Sequence, residues 1–289
     1  MRNLGLGVAV LVTAIFAGCG GGGGGNGGSS GGGSSSSGGG SSSGGTSVDG
    51  TGIYSGTLTD SQNGGTTYSI YGMIPRGEDA ILVIYSGTDV ASSTGGLVGM
   101  SSGPVQFAAD GSFVKSFYNT VANQYTGAAY AGKEDVTGTV APRSMISGSY
   151  TSDSRRLLSG SFSASYDAAH SEMPAALASV VGTYAFSIPI FYNGTTRTYT
   201  GTLTVSAAGA ITGSSTGPTS NGCSYSGTMS VPDAARNIYA VSLTQDCGVV
   251  GQVADLTGPG LAMLEAQGGN LTLLFAGEVA AAVAGLTRQ

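Results

Sequence analysis

Val136-Thr137-Gly138-Thr139-Val140, Ile146-Ser147-Gly148-Ser149-Tyr150 and Leu158-Ser159-Gly160-Ser161-Phe162 state one pattern three times. Each runs apolar residue, hydroxyl, glycine, hydroxyl, apolar residue. Side chains on a β-strand alternate between two faces, so each pentad turns its apolar ends to one side and its hydroxyls to the other. The spacing, about 10 to 12 residues, is that of a meander of short antiparallel strands. A glycine inside each strand removes a side chain where the sheet must bend or a neighbour must come close. Repeated kinks of that kind favour a curled or closed sheet over a flat one. The expected fold class is therefore all-β.

The same texture extends in both directions. On the N-terminal side, Ile53–Thr59, Thr66–Ile74 and Ala80–Ser86 read as strands, with a hairpin signal at Asn63-Gly64-Gly65. Short strands are expected near Val105–Ala108 and Ser112–Phe117, beside the Asp110-Gly111 turn. Ala168–Val180, with His170, Pro174 and Ala175-Ala176-Leu177-Ala178, breaks the pattern and reads as a short helix. Gly182-Thr183-Tyr184 then resumes in the style of Gly52-Ile53-Tyr54. Beyond it, strands are expected near residues 183–191, 198–207, 210–214, 223–231, 237–245, 251–258, 261–265 and 271–278. Eight strands in about 105 residues fit a small up-and-down barrel, filled by side chains or enclosing one small ligand. The prediction is two tandem small antiparallel β-barrels or sandwiches, over 49–168 and 182–289, joined by a segment at 169–181. The first reads as a diverged copy of the second.

Upstream of the β pattern the composition is different in kind. Arg2 precedes an apolar and small-residue run, Leu4–Phe16, which ends in Phe16-Ala17-Gly18-Cys19. This stretch resembles a bacterial lipoprotein signal, although Phe16 stands where such signals usually carry leucine. The resemblance implies removal of residues 1–18, acylation of Cys19 and a permanent attachment to the membrane, since more than one acyl chain anchors stably. Gly20, rather than aspartate, after the cysteine implies the outer membrane. The apolar run is short for a membrane span, which needs about 20 residues. Gly20–Ser47 is almost wholly glycine and serine, a coil with nothing to bury, whose mean reach is roughly 30 Å. Residues 19–48 are thus expected to form a flexible tether.

The second half also resembles a group of proteobacterial lipoproteins with Gly/Ser tethers and small β domains. The shared residues are Ile211-Thr212-Gly213, Gly222-Cys223-Ser224-Tyr225-Ser226-Gly227, Asn237-Ile238-Tyr239-Ala240-Val241 and Cys247. The resemblance spans about Gly182 to Phe275 and implies no activity. With Cys19 acylated, Cys223 and Cys247 remain as an even pair in a compartment that permits disulfides. A bridge across that loop of about 25 residues would stabilise by roughly 3 to 4 kcal/mol. Two buried free thiols are the alternative. Metal ligation is disfavoured, because the sole histidine, His170, is distant in sequence and no CxxC spacing occurs.

Charge is sparse and acidic, with a net charge of -6 and 9% charged residues. Beyond Arg155-Arg156 there is no basic cluster, so nucleic acid is not an expected partner. Two GxSxG matches, Gly99-Met100-Ser101-Ser102-Gly103 and Gly213-Ser214-Ser215-Thr216-Gly217, lack the following helix that a hydrolase elbow needs. Both read as turns. Glu78-Asp79 and Glu134-Asp135 read as solvated loop acids, and Asp49-Gly50-Thr51-Gly52 lacks the remaining ligands of a calcium loop. His170 reads as a solvated linker residue and Arg155-Arg156 as a turn cap. The tyrosines, including Tyr118, Tyr125 and Tyr130, suit strands with the ring on the core, or an amphipathic contact surface. Short, hydroxyl-rich strands also argue against a transmembrane barrel. The function expected is therefore a non-catalytic binding or surface module held to the membrane by lipid, facing an envelope or extracellular partner, with no cofactor. A lipocalin-like carrier of a small apolar ligand is the alternative, and a hydrolase the third.

Overall fold

The computed structural model describes residues 47–61, 64–77, 79–85, 97–122, 129–152, 159–192, 195–216, 222–246, 256–265, 268–276 and 281–289. Two closed eight-stranded barrels follow each other along the chain. The first is built from β1 (Gly52–Asp60), β2 (Thr66–Ile74), β3 (Asp79–Tyr85), β4 (Leu97–Pro104), β5 (Ser112–Ala122), β6 (Ala129–Ala141), β7 (Met145–Ser152) and β8 (Ser159–Tyr166). Single helical turns α1 (Ala168–Ser171) and α2 (Leu177–Val180) lead to the second. Its strands are β9 (Gly182–Tyr192), β10 (Thr195–Val205), β11 (Ala210–Thr216), β12 (Cys223–Ser230), β13 (Tyr239–Asp246), β14 (Leu256–Leu264), β15 (Leu271–Ala276) and β16 (Ala281–Arg288). Each strand pairs antiparallel with the next, and β1 with β8 and β9 with β16 close the walls.

Alternation produces this fold directly. In β1 the even positions Tyr54 and Leu58 are buried inside the first barrel while Ser55 and Thr57 face outward. In β12, Cys223, Tyr225 and Met229 point in, and Ser224, Ser226 and Thr228 point out. The quoted pentads supply the tight part of the first barrel. Gly138 and Gly148 stand opposite each other, and a Cβ on Gly148 would lie 2.0 Å from the Thr137 carbonyl oxygen. The glycine is needed for the approach of the strands, not for flexibility.

Both barrels begin with the same closure. Tyr54 donates through its hydroxyl to the Gly50 carbonyl at 3.0 Å, and Tyr184 does the same to Val180 at 2.8 Å. In each case the acceptor lies four residues upstream and a glycine, Gly52 or Gly182, opens the strand. Tyr54 is 2% exposed and Tyr184 0%, so the bond satisfies a buried hydroxyl and ties the incoming chain across the barrel end.

The barrels also share an apolar contact through their outer walls. Ile53, Met73, Ile81, Val83 and Met100 of the first form one buried cluster with Ile238, Leu261, Met263 and Leu274 of the second. Tyr71 donates to the Met263 sulfur across this contact at 2.7 Å. Polar groups rim it: Arg76 pairs with Asp49 and Asp233, and Asn237 exchanges hydrogen bonds with the Leu264 backbone.

Several local expectations change. Residues 105–108 are not a strand but a connection that folds Phe107 onto Phe113, edge to face at 5.4 Å. The helix expected over 168–180 is two separate turns, because Pro174 interrupts it. What reads as two strands, 251–258 and 261–265, is one strand over 256–264 among the described residues, and the alanine-rich β16 supplies the eighth.

Candidate functional site

The inner faces of the two barrels differ at the end away from α1 and α2. In the first barrel, β1 ends on Asp60, which is fully buried. Asp60 pairs across the wall with Gly160 of β8, and Gly160 pairs with Tyr150 of β7. A Cβ on Gly160 would lie 2.9 Å from the Tyr150 ring and hydroxyl, so this ring lies over the bare glycine. Tyr150 in turn stands opposite Val136 of β6, and Glu134 occupies the next inward position of that strand. Glu134 is 1% exposed and accepts a hydrogen bond from the hydroxyl of Ser101, an inward residue of β4. Strand alternation thus brings residues from four strands to one internal cluster: Asp60, Ser101, Glu134 and Tyr150.

The electrostatics of this cluster follow from burial. Loss of water pushes the Glu134 carboxyl above its ordinary value, and the Ser101 hydrogen bond offsets part of that rise. Burial raises the Tyr150 phenol as well, with Asp60, Glu134 and Tyr68 pushing the same way. The Tyr150 hydroxyl is buried without a hydrogen-bond partner. An ionised carboxyl has about four acceptor sites, and here Ser101 fills one.

Among the described residues, the inward side chains at the corresponding end of the second barrel are neutral. Ser215 of β11 lies 3.1 Å from the Tyr225 hydroxyl of β12, and Gln245 of β13 donates to the Cys223 sulfur at 3.3 Å. Burial raises the Tyr225 phenol, and its bond with Ser215 acts against that rise.

The residues singled out in the sequence fall as follows. Ser101 and Ser215 are not in turns; both lie within strands and face inward, because the surrounding glycines are strand glycines rather than an elbow. Their hydroxyls meet Glu134 and Tyr225, whereas His170 meets Asp167 at 2.7 Å and Glu265 at 3.4 Å. No serine–histidine pair forms among the described residues. His170 is therefore not a solvated linker residue but part of the junction, half-buried between two carboxylates. Nor is Glu134 a loop acid: its neighbour Asp135 faces out, and Glu134 falls on the inward phase of β6. Asp49 accepts from the Thr51 backbone and pairs with Arg76 and Arg236. Cys223 is buried at the start of β12. Cys19, Cys247, Glu78, Tyr125, Arg155 and Arg156 lie outside the described residues. The internal acid cluster was missed in the sequence. A signal existed, since Glu134 lies two residues before the Val136 pentad and shares its apolar phase.

An open groove of about 440 Å³ also lies between the outer walls, lined in part by Asp79, Ile81, Thr228, Ser242 and Pro259. Among the described residues no three His, Cys, Asp or Glu side chains group to hold a metal ion. No helix there is long and apolar enough to cross a membrane, which says nothing of strands.

No family model matches the chain, and no curated protein matches it. Among solved structures, a Bacteroides fragilis protein inferred to belong to the outer membrane is similar over 83% of this chain and 97% of its own, at 12% identity and a TM-score of 0.29. A protein of unknown function from the DUF3598 family of Nostoc punctiforme is similar over 82% and 94%, at 12% identity and a TM-score of 0.26. At those scores neither likeness bears on function.

Proposed function

We propose that this chain is a lipid-anchored envelope protein whose first barrel is a non-catalytic binding cup and whose second barrel is its structural partner. The observation that carries the binding role is the Asp60, Ser101, Glu134 and Tyr150 cluster inside the first barrel. Sequestering an acid in a barrel costs free energy, and a hydroxyl without a partner adds about 1 to 3 kcal/mol. A wall made only to be stable would put a neutral side chain there, and the described inward residues Ser215, Tyr225 and Gln245 at that end of the second barrel are neutral. The apolar-carrier reading is weaker for the same reason. A serine hydrolase is supported less well. Among the described residues neither serine meets His170, which is engaged at the junction. The carboxyl beside Ser101, Glu134, is held toward its neutral form by burial, which makes it a poor base.

Anchoring rests on the sequence of residues 1–19, with Gly20–Ser47 holding the barrels clear of the bilayer. A disulfide between Cys223 and Cys247 is supported by the β12–β13 register, where Ser224 pairs with Asp246. Mass measurement of native protein from membranes should show residues 1–18 removed, Cys19 diacylglycerol-modified, and a gain of two hydrogens on reduction. Cys19→Ala should release the chain from the membrane fraction. For binding, native mass spectrometry of the full chain gently extracted from membranes should show a retained small molecule, absent from Glu134→Gln. Identical spectra for the two proteins would remove the cup.

A further inference from the structure

We propose that the first barrel's cup recognises a small organic cation, an ammonium head seated between Glu134 and the Tyr150 hydroxyl. This deepens the binding role proposed above and rests on it.

Four observations converge on that chemistry. Glu134 is 1% exposed and its described hydrogen-bond partner is a neutral hydroxyl, Ser101. Asp60, fully buried, approaches the same phenol closely enough to act on it. Tyr150 is 2% exposed and its hydroxyl has no partner. An oxygen with free lone pairs beside an under-occupied carboxyl calls for a donor, and an ammonium has donors and no acceptor. Tyr68 acts on the same phenol, so the seat has a second aromatic residue close by, and aromatic rings favour a positive guest.

Other guests fit less well. An anion would face two acids. A metal ion needs more ligands than the described side chains group together. An organic ammonium needs only a few acceptors and loses less hydration than a compact divalent ion.

Among the described residues, the titratable groups that act on Tyr150 beside Glu134 are Asp60 on β1 and Tyr68 on β2, and Lys115 on β5 shares the inward phase. Lys115 stands opposite Val136 in register, on the inward phase, and makes no ion pair with Glu134. It is an inward-phase cation of the neighbouring strand outside the proposed seat, so the test includes it as the control for a general charge effect.

Burial holds Glu134 toward its protonated form. A cationic guest favours the carboxylate and so displaces that proton to solvent. While the free protein is protonated there, affinity should rise about tenfold per pH unit, then level off once Glu134 ionises unaided.

The experiment is calorimetry of the full chain with propylammonium chloride, with propanol as the neutral counterpart and sodium chloride at equal ionic strength. Titrations in two buffers of different ionisation enthalpy report proton release. The expected result is binding of propylammonium with proton release, at least about tenfold weaker in Glu134→Gln and little changed in Lys115→Met. Propanol binding as tightly, without proton release, would overturn the cation and leave the cup standing. If no probe binds, the cation is likewise overturned, and the retained-mass experiment decides the binding role independently.

Discussion

The two barrels share their closure and differ in their contents. Each begins with a glycine and a tyrosine whose hydroxyl reaches the carbonyl four residues back, and each turns Ser and Thr outward. Yet the first buries Asp60 and Glu134, where the second buries Ser215, Tyr225 and Gln245. Backbone demands fix the shared parts: a strand entering a closed wall needs its hydroxyl satisfied and its neighbours close. Interior side chains are constrained only by volume and polarity, so function can differ there without a change of architecture.

The largest effect expected tests whether the closures are equivalent. Tyr54→Ala and Tyr184→Ala should each destabilise by about 3 to 5 kcal/mol, because a buried aromatic is removed. The Phe variants isolate the hydroxyl and should lose about 1 to 3 kcal/mol by leaving a buried carbonyl unpaired. Urea unfolding followed by tyrosine fluorescence measures both. A loss at Tyr184 with none at Tyr54 would show the likeness to be superficial.

Next come the glycines that let strands approach. A Cβ on Gly148 or on Gly227 would lie 2.0 Å from a neighbouring carbonyl oxygen, Thr137 or Ser242. Alanine at either should cost roughly 1 to 3 kcal/mol through wall distortion. Similar shifts in urea midpoint would extend the likeness to the walls; a silent Gly227→Ala would confine it to the entry strand.

The acids should separate the barrels by pH. The folded Glu134 carboxyl sits above its ordinary value of 4.5. Above that value the unfolded chain has released a proton that the folded chain keeps, so stability falls as pH rises through the window up to the folded value. Each unit of displacement is about 1.4 kcal/mol. Glu134→Gln should remove that slope, giving a higher melting temperature than the parent at pH 8 and little difference at pH 4. The reciprocal change, Gln245→Glu, should add a slope of the same sign from the second barrel. Melts of both variants with no pH dependence different from the parent would mean that the buried acid carries no linkage.

The sequence made the walls legible and the contents less so. Pentads such as Ile146–Tyr150 mark strands because alternation and central glycines are local features. Gly182-Thr183-Tyr184 announced the second barrel for the same reason. Ser101 and Glu134 misled, since a GxSxG match and an acidic pair suggest loops by composition, while their partner lies 33 residues away across the barrel. His170 misled similarly, because its second carboxylate, Glu265, comes from beyond β14. The eighth strand, β16, was hidden in alanines whose strand character depends on pairing with Leu271–Ala276 and with β9. Register and closure decide such residues, and neither is local.

The smallest effect concerns the outer faces, where the barrels should not differ. Thr137 and Ser149 bring their hydroxyls to 3.0 Å across β6 and β7, and Thr183 and Thr204 to 3.1 Å across β9 and β10. Directly opposed hydroxyl pairs of this kind contribute about 0.2 to 1 kcal/mol. Water competes for an exposed hydroxyl, so the coupling belongs near the lower end in both barrels. Double-mutant cycles to alanine, read from urea midpoints, should give couplings within about 0.5 kcal/mol of each other. A large coupling in the first barrel alone would mean that its outer wall is strained by what it encloses. The acid cluster would then be felt through the strands, and the division between a fixed wall and free contents would fail.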